Sequence, residues 1–215
     1  MGVPSSAKKA HLSLWIITGI FWTSYAVIRI LYGGNCQRPE LQADFDSERY
    51  VGVWYEIFRD TTVQFEVDDC TTARYEVLPY NYIEVNNLEF SISEQENISG
   101  IPAPGKAQCS SFRSGLCQVK FFELTPWSDY SIMSTDYTSH TVVYGCDNFA
   151  AGMVRADWLW ALTRSPLEIG TSDHDTMKDT VFDIIDEKLE GKYDTSERLY
   201  YTKQSANSGC IYNGI

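Results

Sequence analysis

Cysteine and histidine are the residue types in this sequence best suited to redox, nucleophilic or metal chemistry. The chain has three histidines, His11, His140 and His174, and six cysteines, Cys36, Cys70, Cys109, Cys117, Cys146 and Cys210. No two cysteines are spaced as C-x-x-C, and no histidine stands at a zinc-ligand spacing from a cysteine, so we expect no metal site. The even number of cysteines favours three disulfides in an oxidising compartment, with buried free thiols as the alternative.

Catalysis has little support in the same residues. A cysteine nucleophile must be unpaired and activated, and three disulfides would leave no free thiol. No Ser-His-Asp arrangement and no pair of carboxylates stands out in the sequence. We therefore expect no catalytic residue and no cofactor other than a bound lipid or small hydrophobic molecule. A binding or interaction protein is favoured over an enzyme.

The overall charge narrows the class of partner. The chain of 215 residues has 29 acidic and 17 basic side chains, for a net charge of −12, and 44% of its residues are hydrophobic. That hydrophobic content is enough for a packed core. A strongly negative surface repels nucleic acid, so we expect no nucleic-acid partner.

Residues 12–32, LSLWIITGIFWTSYAVIRILY, form an apolar run with a single charge, Arg29. A helix of this length is about 30 Å long, which is the thickness of a hydrocarbon core. The alternative is a cleaved secretory signal, but such signals have shorter apolar runs and end in small residues, which are missing here. We predict a tail over 1–11, a transmembrane helix over 12–32, a tether over 33–49 and a folded domain over 50–215.

Short strands are the main elements predicted for that domain. Segments rich in β-branched and aromatic residues alternate with turn residues, which is typical of a sandwich or an up-and-down barrel. The predicted strands are 51–59, 72–78, 82–90, 98–103, 118–124, 130–136, 140–146 and 156–163.

One helix is predicted late in the chain, within residues 172–191. Its apolar side chains recur at helical spacing and would pack on the barrel, and Ser172 or Asp173 would be the N-cap. The stripe consists of Met177, Val181, Ile184, Ile185 and Leu189.

Three short motifs, found in order along the chain, identify a family. They are YVGVWYEI, STDYTSHTVVYGC and WLWALTRSP, with the key residues Gly52, Trp54, Thr135, Asp136, Tyr137 and Arg164. Together they resemble the sequence signatures of the lipocalin family, and residues 36–212 are most similar to its apolipoprotein D group and bacterial relatives. The resemblance implies an all-β fold, an eight-stranded antiparallel up-and-down barrel with a C-terminal α-helix, here preceded by one N-terminal transmembrane helix. It also implies that Trp54 closes the narrow end with Arg164 across it, where a guanidinium over an indole gains cation–π energy.

The same resemblance implies a disulfide pattern. Six cysteines allow fifteen connectivities, and spacing alone does not choose among them. The family pattern implies the pairs Cys36–Cys146 and Cys70–Cys210. The two cysteines left over, Cys109 and Cys117, would close the hairpin between the fourth and fifth strands.

An eight-stranded barrel can hold one small ligand inside. Alternation along the strands selects inward-facing candidates for contact with that ligand, although any barrel core needs the same alternation and a slip of one residue reverses the set. The candidates are Tyr55, Ile57, Tyr75, Val77, Phe121, Ile132 and Trp158, the last with Trp160 as its alternative.

The predicted transmembrane helix suggests a role in an assembly. Gly19, Ser24 and Ala26 are small residues that can pack against neighbouring helices. We predict a non-catalytic, membrane-anchored accessory subunit of a larger membrane complex, whose barrel holds a lipid or other small hydrophobic ligand. The alternative is a free-standing, membrane-tethered carrier of the apolipoprotein D type. The domain would face an oxidising side, with the intermembrane space at the mitochondrial inner membrane favoured over a secretory lumen, the extracellular space or a thylakoid lumen.

Overall fold

Strands account for most of the regular structure in the computed structural model, which describes residues 31–63, 65–98, 104–110, 114–122, 124 and 126–212. In these residues the strands are β1 (Tyr32–Gly33), β2 (Gly52–Asp60), β3 (Thr72–Leu78), β4 (Tyr82–Ser91), β5 (Glu96–Ile98), β6 (Gly105–Cys109), β7 (Leu116–Lys120), β8 (Ser128–Thr135), β9 (His140–Phe149), β10 (Val154–Thr163) and β11 (Leu199–Tyr201). The α-helices are α1 (Ser47–Tyr50), α2 (Ser172–Lys188) and α3 (Thr195–Arg198).

Eight of the strands close into a barrel. Antiparallel pairing follows the order β2, β3, β4, β6, β7, β8, β9, β10, and β10 then returns to pair with β2. β5 pairs with the end of β4, β1 lies beside β10, and β11 lies beside β2. Closure removes the free sheet edges that would otherwise be open to aggregation. The predicted eight-stranded antiparallel barrel is confirmed.

The fourth barrel strand differs from its prediction. The predicted range was 98–103, of which 99–103 lie outside the described residues. The strand at that place in the barrel is β6, which begins at Gly105 and pairs with Tyr82–Val85 of β4. A Cβ at Gly105 would come within 2.6 Å of the Phe121 ring. Gly105 is therefore needed for close packing inside a strand.

Helix α2 lies where the helical spacing predicts it, with a different N-cap. Thr171 is the N-cap, and its hydroxyl oxygen accepts a hydrogen bond from the His174 N–H at 3.3 Å. Ser172 and Asp173, the predicted candidates, are one and two residues too late, because they already lie inside the helix. An uncapped N–H would otherwise need water or another acceptor.

The predicted apolar stripe of α2 packs on the outside of the barrel. Val181, Ile185 and Leu189 are buried there against Phe58 and Leu159 from the barrel wall. Met177 and Ile184 are partly buried at the edge of the same cluster. A second cluster fills the inside of the barrel around Trp54. The wall strands thus separate two cores, one internal and one beneath the helix.

Three disulfides fasten the chain, two in the pairs that the resemblance implies and one between the two cysteines left over. Cys36 is bonded to Cys146 in β9, and Cys70 is bonded to Cys210 in the C-terminal segment. Cys109 and Cys117 face each other directly in the β6–β7 ladder and are bonded. Two bridges therefore tie the segments before and after the barrel to its wall, and the third closes one hairpin.

The segment predicted as a tether, 33–49, packs on the barrel. The Gln42 N–H donates to the Ile132 carbonyl at 2.9 Å, and the Gln42 side chain accepts from the Thr135 N–H at 2.9 Å. These hydrogen bonds satisfy backbone groups of β8 that the barrel leaves unpaired. The folded domain therefore begins before residue 50, and this segment does not act as a free linker.

Most of the predicted transmembrane helix, 12–30, lies outside the described residues and stays a prediction. Its last residue, Tyr32, is not helical, because it pairs with Arg155 as part of β1. Within the part of the chain that the structure describes, no helix has the length and apolar content needed to cross a membrane.

Candidate ligand-binding site

Trp54 and Arg164 close one end of the barrel. The Arg164 guanidinium carbon lies 3.7 Å from the centre of the Trp54 indole ring, a distance suited to a cation–π interaction. The Trp54 indole N–H donates to the Tyr50 carbonyl at 2.8 Å, and Trp54 is fully buried. Gly52 has a φ of +104°, and a Cβ there would lie 3.2 Å from the Arg164 guanidinium. The missing side chain at Gly52 thus leaves space for the Arg164 guanidinium.

Arg164 also ties two stretches of backbone, residues 49–53 and the turn at Tyr137, to the end of β10. Its guanidinium donates to five carbonyls, at distances of 2.9–3.2 Å, those of Tyr137, Val53, Arg49, Tyr50 and Val51. A planar guanidinium has five N–H donors in a fixed arrangement, so few other side chains could make this set of bonds. Burial lowers the pKa of Arg164, which nevertheless remains charged.

The turn from Thr135 to Tyr137 completes the closed end. The Asp136 carboxylate accepts from the backbone N–H groups of Thr138, Ser139 and His140 and from the Ser139 hydroxyl. Partial burial acts to raise the pKa of Asp136, but these hydrogen bonds outweigh it and hold the pKa well below its usual range. The signature residues therefore build a rigid, fully bonded plug.

Ser139, His140 and Asp136 meet in this turn, but their arrangement is not that of a catalytic triad. Ser139 Oγ lies 3.2 Å from His140 Nδ1, and an Asp136 oxygen lies 3.6 Å from the same nitrogen. In a triad the serine and the aspartate use different ring nitrogens, which lets the imidazole pass a proton. Among the described residues, no group of three or more His, Cys, Asp or Glu side chains is placed to hold a metal ion.

A cavity of about 450 Å³ occupies the other half of the barrel. Its lining includes aromatic side chains from five parts of the chain, among them Phe65, Tyr75, Phe121, Tyr130, Trp158 and Trp160. The β2–β3 and β7–β8 loops, which supply Phe65 and Phe122, lie at the end opposite Trp54 and form the mouth. This volume is within the range of about 300–1,000 Å³ that is usual for small-molecule sites.

Three of the predicted ligand contacts line the cavity: Tyr75, Phe121 and Trp158. Trp160, which was the alternative to Trp158, lines it as well, because residues two apart on β10 share a face. Four predicted contacts do not line it, and each has a local reason.

Ile57 lies outside the barrel because alternation from the inward-facing Trp54 places it, like Tyr55, on the outer side of β2. Glu56 pairs with Leu162 and Phe58 pairs with Ala161, so Ile57 is an extra residue in β2. This bulge reverses the inward and outward sides only beyond it, so Phe58 faces the cluster beneath α2 together with Ile57. Tyr55 also faces outward, with its ring 5.0 Å from that of Tyr212.

Val77 and Ile132 miss the cavity for different reasons. Val77 lies beyond the last residue of β3 that pairs with β2 and is 56% exposed. Ile132 faces inward but belongs to the packed cluster around Trp54, so it fills the barrel below the cavity. Alternation predicted correctly that Ile132 faces inward, but it does not predict how far along the barrel axis a residue lies.

Polar groups in the cavity wall were missed by the sequence reasoning. Glu56, Glu66 and Asn87 all line the cavity. Alternation from Trp54 would have placed Glu56 inside, whereas Glu66 lies in a loop, for which no periodic signal exists. The Glu56 carboxylate pairs with Arg59 at 2.8 Å and accepts from the Thr202 hydroxyl at 2.5 Å.

Glu66 is bound to the wall by two donors. The Trp160 indole N–H donates to one carboxylate oxygen at 2.9 Å, and the Asn87 amide donates to the other at 3.0 Å. Glu66 is only 4% exposed. Burial, together with the nearby charge of Glu56, raises the pKa of Glu66 well above its usual range.

The comparisons with known proteins agree with this geometry. The Lipocalin-like domain family matches residues 45–184. Apolipoprotein D of Rattus norvegicus is 32% identical over 72% of this chain and 78% of its own length. The Lazarillo protein of Schistocerca americana is 27% identical over 57% of this chain and 56% of its own length.

Solved structures show the same fold at lower identity. Insecticyanin from the tobacco hornworm Manduca sexta has a TM-score of 0.63 and 19% identity, over 86% of this chain and 93% of its own. Lobster apocrustacyanin A1 has a TM-score of 0.62 and 17% identity, over 83% of this chain and 93% of its own.

Proposed function

Because the chain belongs to the lipocalin family, we propose that it carries one small hydrophobic ligand in the cavity of its barrel. The observation that carries the proposal is the aromatic cavity of about 450 Å³. A chamber of this kind gains binding energy from apolar surface removed from water. The plug at the other end leaves the mouth as the route of entry.

The test is binding of diphenylhexatriene, an apolar fluorescent probe, to the full chain in detergent. Val119 lines the cavity and is only partly buried in its wall. We expect Val119→Phe to fill part of the cavity and to weaken probe binding about tenfold. Val77→Phe makes the same change on the outer surface and serves as the matched control. Equal binding by the two folded variants would contradict the proposal.

Mass spectrometry of an organic extract of the protein, purified from its native membrane, would identify the natural ligand. We expect one class of small hydrophobic molecule at close to one per chain. An extract with no such molecule, from protein whose cavity also fails to bind diphenylhexatriene, would rule out the carrier function.

We further propose that residues 12–32 anchor the protein in a membrane, with the helix ending before Tyr32. The position of β1, which follows these residues, supports one orientation of the barrel relative to the membrane. The Gly34 N–H donates to the Met153 carbonyl at 2.8 Å, so the chain joins the barrel beside the β9–β10 turn at the open end. Met153 and Phe149, in that turn and at the end of β9, are 71% and 46% exposed. An anchor attached there would hold the mouth of the cavity toward the bilayer.

An accessory role in a larger membrane complex is the last part of the proposal. Gly19, Ser24 and Ala26 would let neighbouring helices approach the anchor closely. Three disulfides support an oxidising side of the membrane, for which the mitochondrial intermembrane space is our favoured location.

Replacing residues 1–30 by an unrelated single-pass anchor tests the complex directly. We expect the chimera to reach the membrane and bind diphenylhexatriene normally, but to lose co-purification with partner subunits. Partner recovery at the native yield would show that the helix is a passive anchor, and the free-standing carrier would then be the better description.

A further inference from the structure

The polar part of the cavity wall offers hydrogen-bond acceptors. Each oxygen of Glu66 accepts one bond from a donor in the wall, and a carboxylate oxygen can accept two. The side-chain oxygen of Asn87 is buried, with no hydrogen-bond partner in the described part of the chain. A buried acceptor without a partner is costly, and a donor on a ligand would recover that cost.

The charges around these acceptors are also unbalanced. Glu56 and Glu66 both line the cavity, and Arg59 forms its ion pair with Glu56. Among the described residues, no lysine or arginine forms an ion pair with Glu66. Of the two buried carboxyl groups in the wall, only Glu56 belongs to an ion pair in the described part of the chain, and buried carboxylates are costly unless paired.

We propose that the ligand is an amphiphile with a basic amine, whose ammonium group binds Glu66 and Asn87 while its apolar body fills the aromatic chamber. This inference rests on the carrier function proposed above. An ammonium supplies both the missing charge and N–H donors for the open acceptors. A fatty-acid anion would place a third carboxylate beside Glu56 and Glu66, so the same wall disfavours it.

A series of octyl compounds tests the head group while the apolar body stays constant. Octylamine, octanol and octanoate compete with diphenylhexatriene for the full chain in detergent. We expect octylamine to bind about tenfold more tightly than octanol, and octanoate to bind most weakly. Glu66→Gln should remove the octylamine preference and leave octanol unchanged. Comparing variants for one compound cancels its partition into detergent.

Glu89→Gln is the matched control for this substitution. Glu89 is 2% exposed and accepts from the backbone N–H groups of Val67 and Asp68, and it does not line the cavity. The octylamine preference should survive in Glu89→Gln. If Glu89→Gln also lost the octylamine preference, the assignment to Glu66 would be overturned, because replacing a buried glutamate outside the cavity would then have the same effect.

A methylated head group separates charge from hydrogen bonding. Octyltrimethylammonium has the charge but no N–H, so we expect it to bind about tenfold more weakly than octylamine. Binding as tight as that of octylamine would overturn the role of Asn87 and Glu66 as acceptors.

The pH dependence gives an independent readout. An ammonium binds the ionised form of Glu66, and burial favours the neutral form, so octylamine affinity should rise with pH until Glu66 is ionised in the free protein. The titratable or charged groups around Glu66 that share this environment are Glu56, Arg59, Tyr75, Lys120, Asp129 and Tyr130. The rise should disappear in Glu66→Gln. A rise that persists in this variant would overturn the proposal.

The two proposals fail in distinguishable ways. If diphenylhexatriene and octanol do not bind, the carrier function fails. If both bind, and octylamine binds no better than octanol, the carrier function stands and the amine assignment is overturned.

Discussion

The two ends of the barrel are built on opposite principles. At the closed end, Trp54 is fully buried and Arg164 donates to five backbone carbonyls. At the open end, the Asn87 oxygen is buried without a partner among the residues that the structure describes, and Leu124 is 99% exposed. Residues that stabilise the fold and residues that would bind a ligand thus lie toward opposite ends of the barrel axis. A site can keep unsatisfied groups only where another part of the fold supplies the stability.

Covalent ties should matter more at the open end. Cys70–Cys210 closes a chain separation of 140 residues beside the β2–β3 loop, whereas Cys109–Cys117 closes 8 residues near the closed end. The chain-entropy relation predicts a cost of about 5 kcal/mol for Cys70→Ala with Cys210→Ala, against about 2.5 kcal/mol for the short pair. Urea denaturation of the two double variants measures both. Equal losses would remove this difference between the ends.

Replacing one tryptophan at each end of the barrel separates the effect on stability from the effect on ligand binding most directly. Trp54→Ala should cost about 4 kcal/mol of unfolding free energy, because it empties a fully buried site and removes the surface on which Arg164 lies. Trp158→Ala removes the same side chain from the cavity wall and should cost less stability while weakening binding of diphenylhexatriene. Denaturation and probe titration of both variants check this. A reversed pattern would contradict the separation.

Arg164→Ala should cost about 3 kcal/mol, since several carbonyls lose their donor. Arg164→Lys keeps the charge but has three donors on a single nitrogen, so it should recover little of the loss. Affinity for diphenylhexatriene should change by less than about twofold in either folded variant. Full recovery by lysine would show that charge, and not the geometry of the donors, holds the closed end.

The smallest expected effect is a difference in pH dependence. The pKa of Asp136 is lowered in the fold, so its stabilisation is complete above the unfolded value of about 3.9 and is lost as the pH falls below it. The pKa of Glu66 is raised, so stability is highest below its unfolded value of about 4.3 and falls as the pH rises through the folded pKa.

Denaturation of the wild type, Asp136→Asn and Glu66→Gln between about pH 3 and pH 7 separates the two groups. Relative to the wild type, Asp136→Asn should weaken the loss of stability at low pH, and Glu66→Gln should weaken the decline at higher pH. Parallel curves for all three proteins would contradict both assignments.

The closed end was more predictable from sequence than the cavity. Gly52, Trp54 and Arg164 lie in short motifs, and their positions follow from local spacing and a family resemblance. Cavity residues depend on which side of a strand faces inward, and alternation within β2 does not by itself distinguish the side of Tyr55 and Ile57 from the side of Glu56. Glu66 lies in a loop without periodicity and reaches the cavity only because the barrel brings Trp160 and Asn87 to it. Such contacts are set by tertiary structure, which a sequence pattern does not contain.

The pairing of β10 with β2 also has a kinetic consequence. These are the last and first strands of the barrel, so neighbouring hairpins such as β8–β9 can form before β10 pairs with β2. Closing so long a loop is entropically costly and makes this the step that we expect to limit folding. Until residue 163 has emerged from the ribosome, one edge of β2 is free to pair with another chain. A newly made chain is therefore most exposed to aggregation just before its barrel closes.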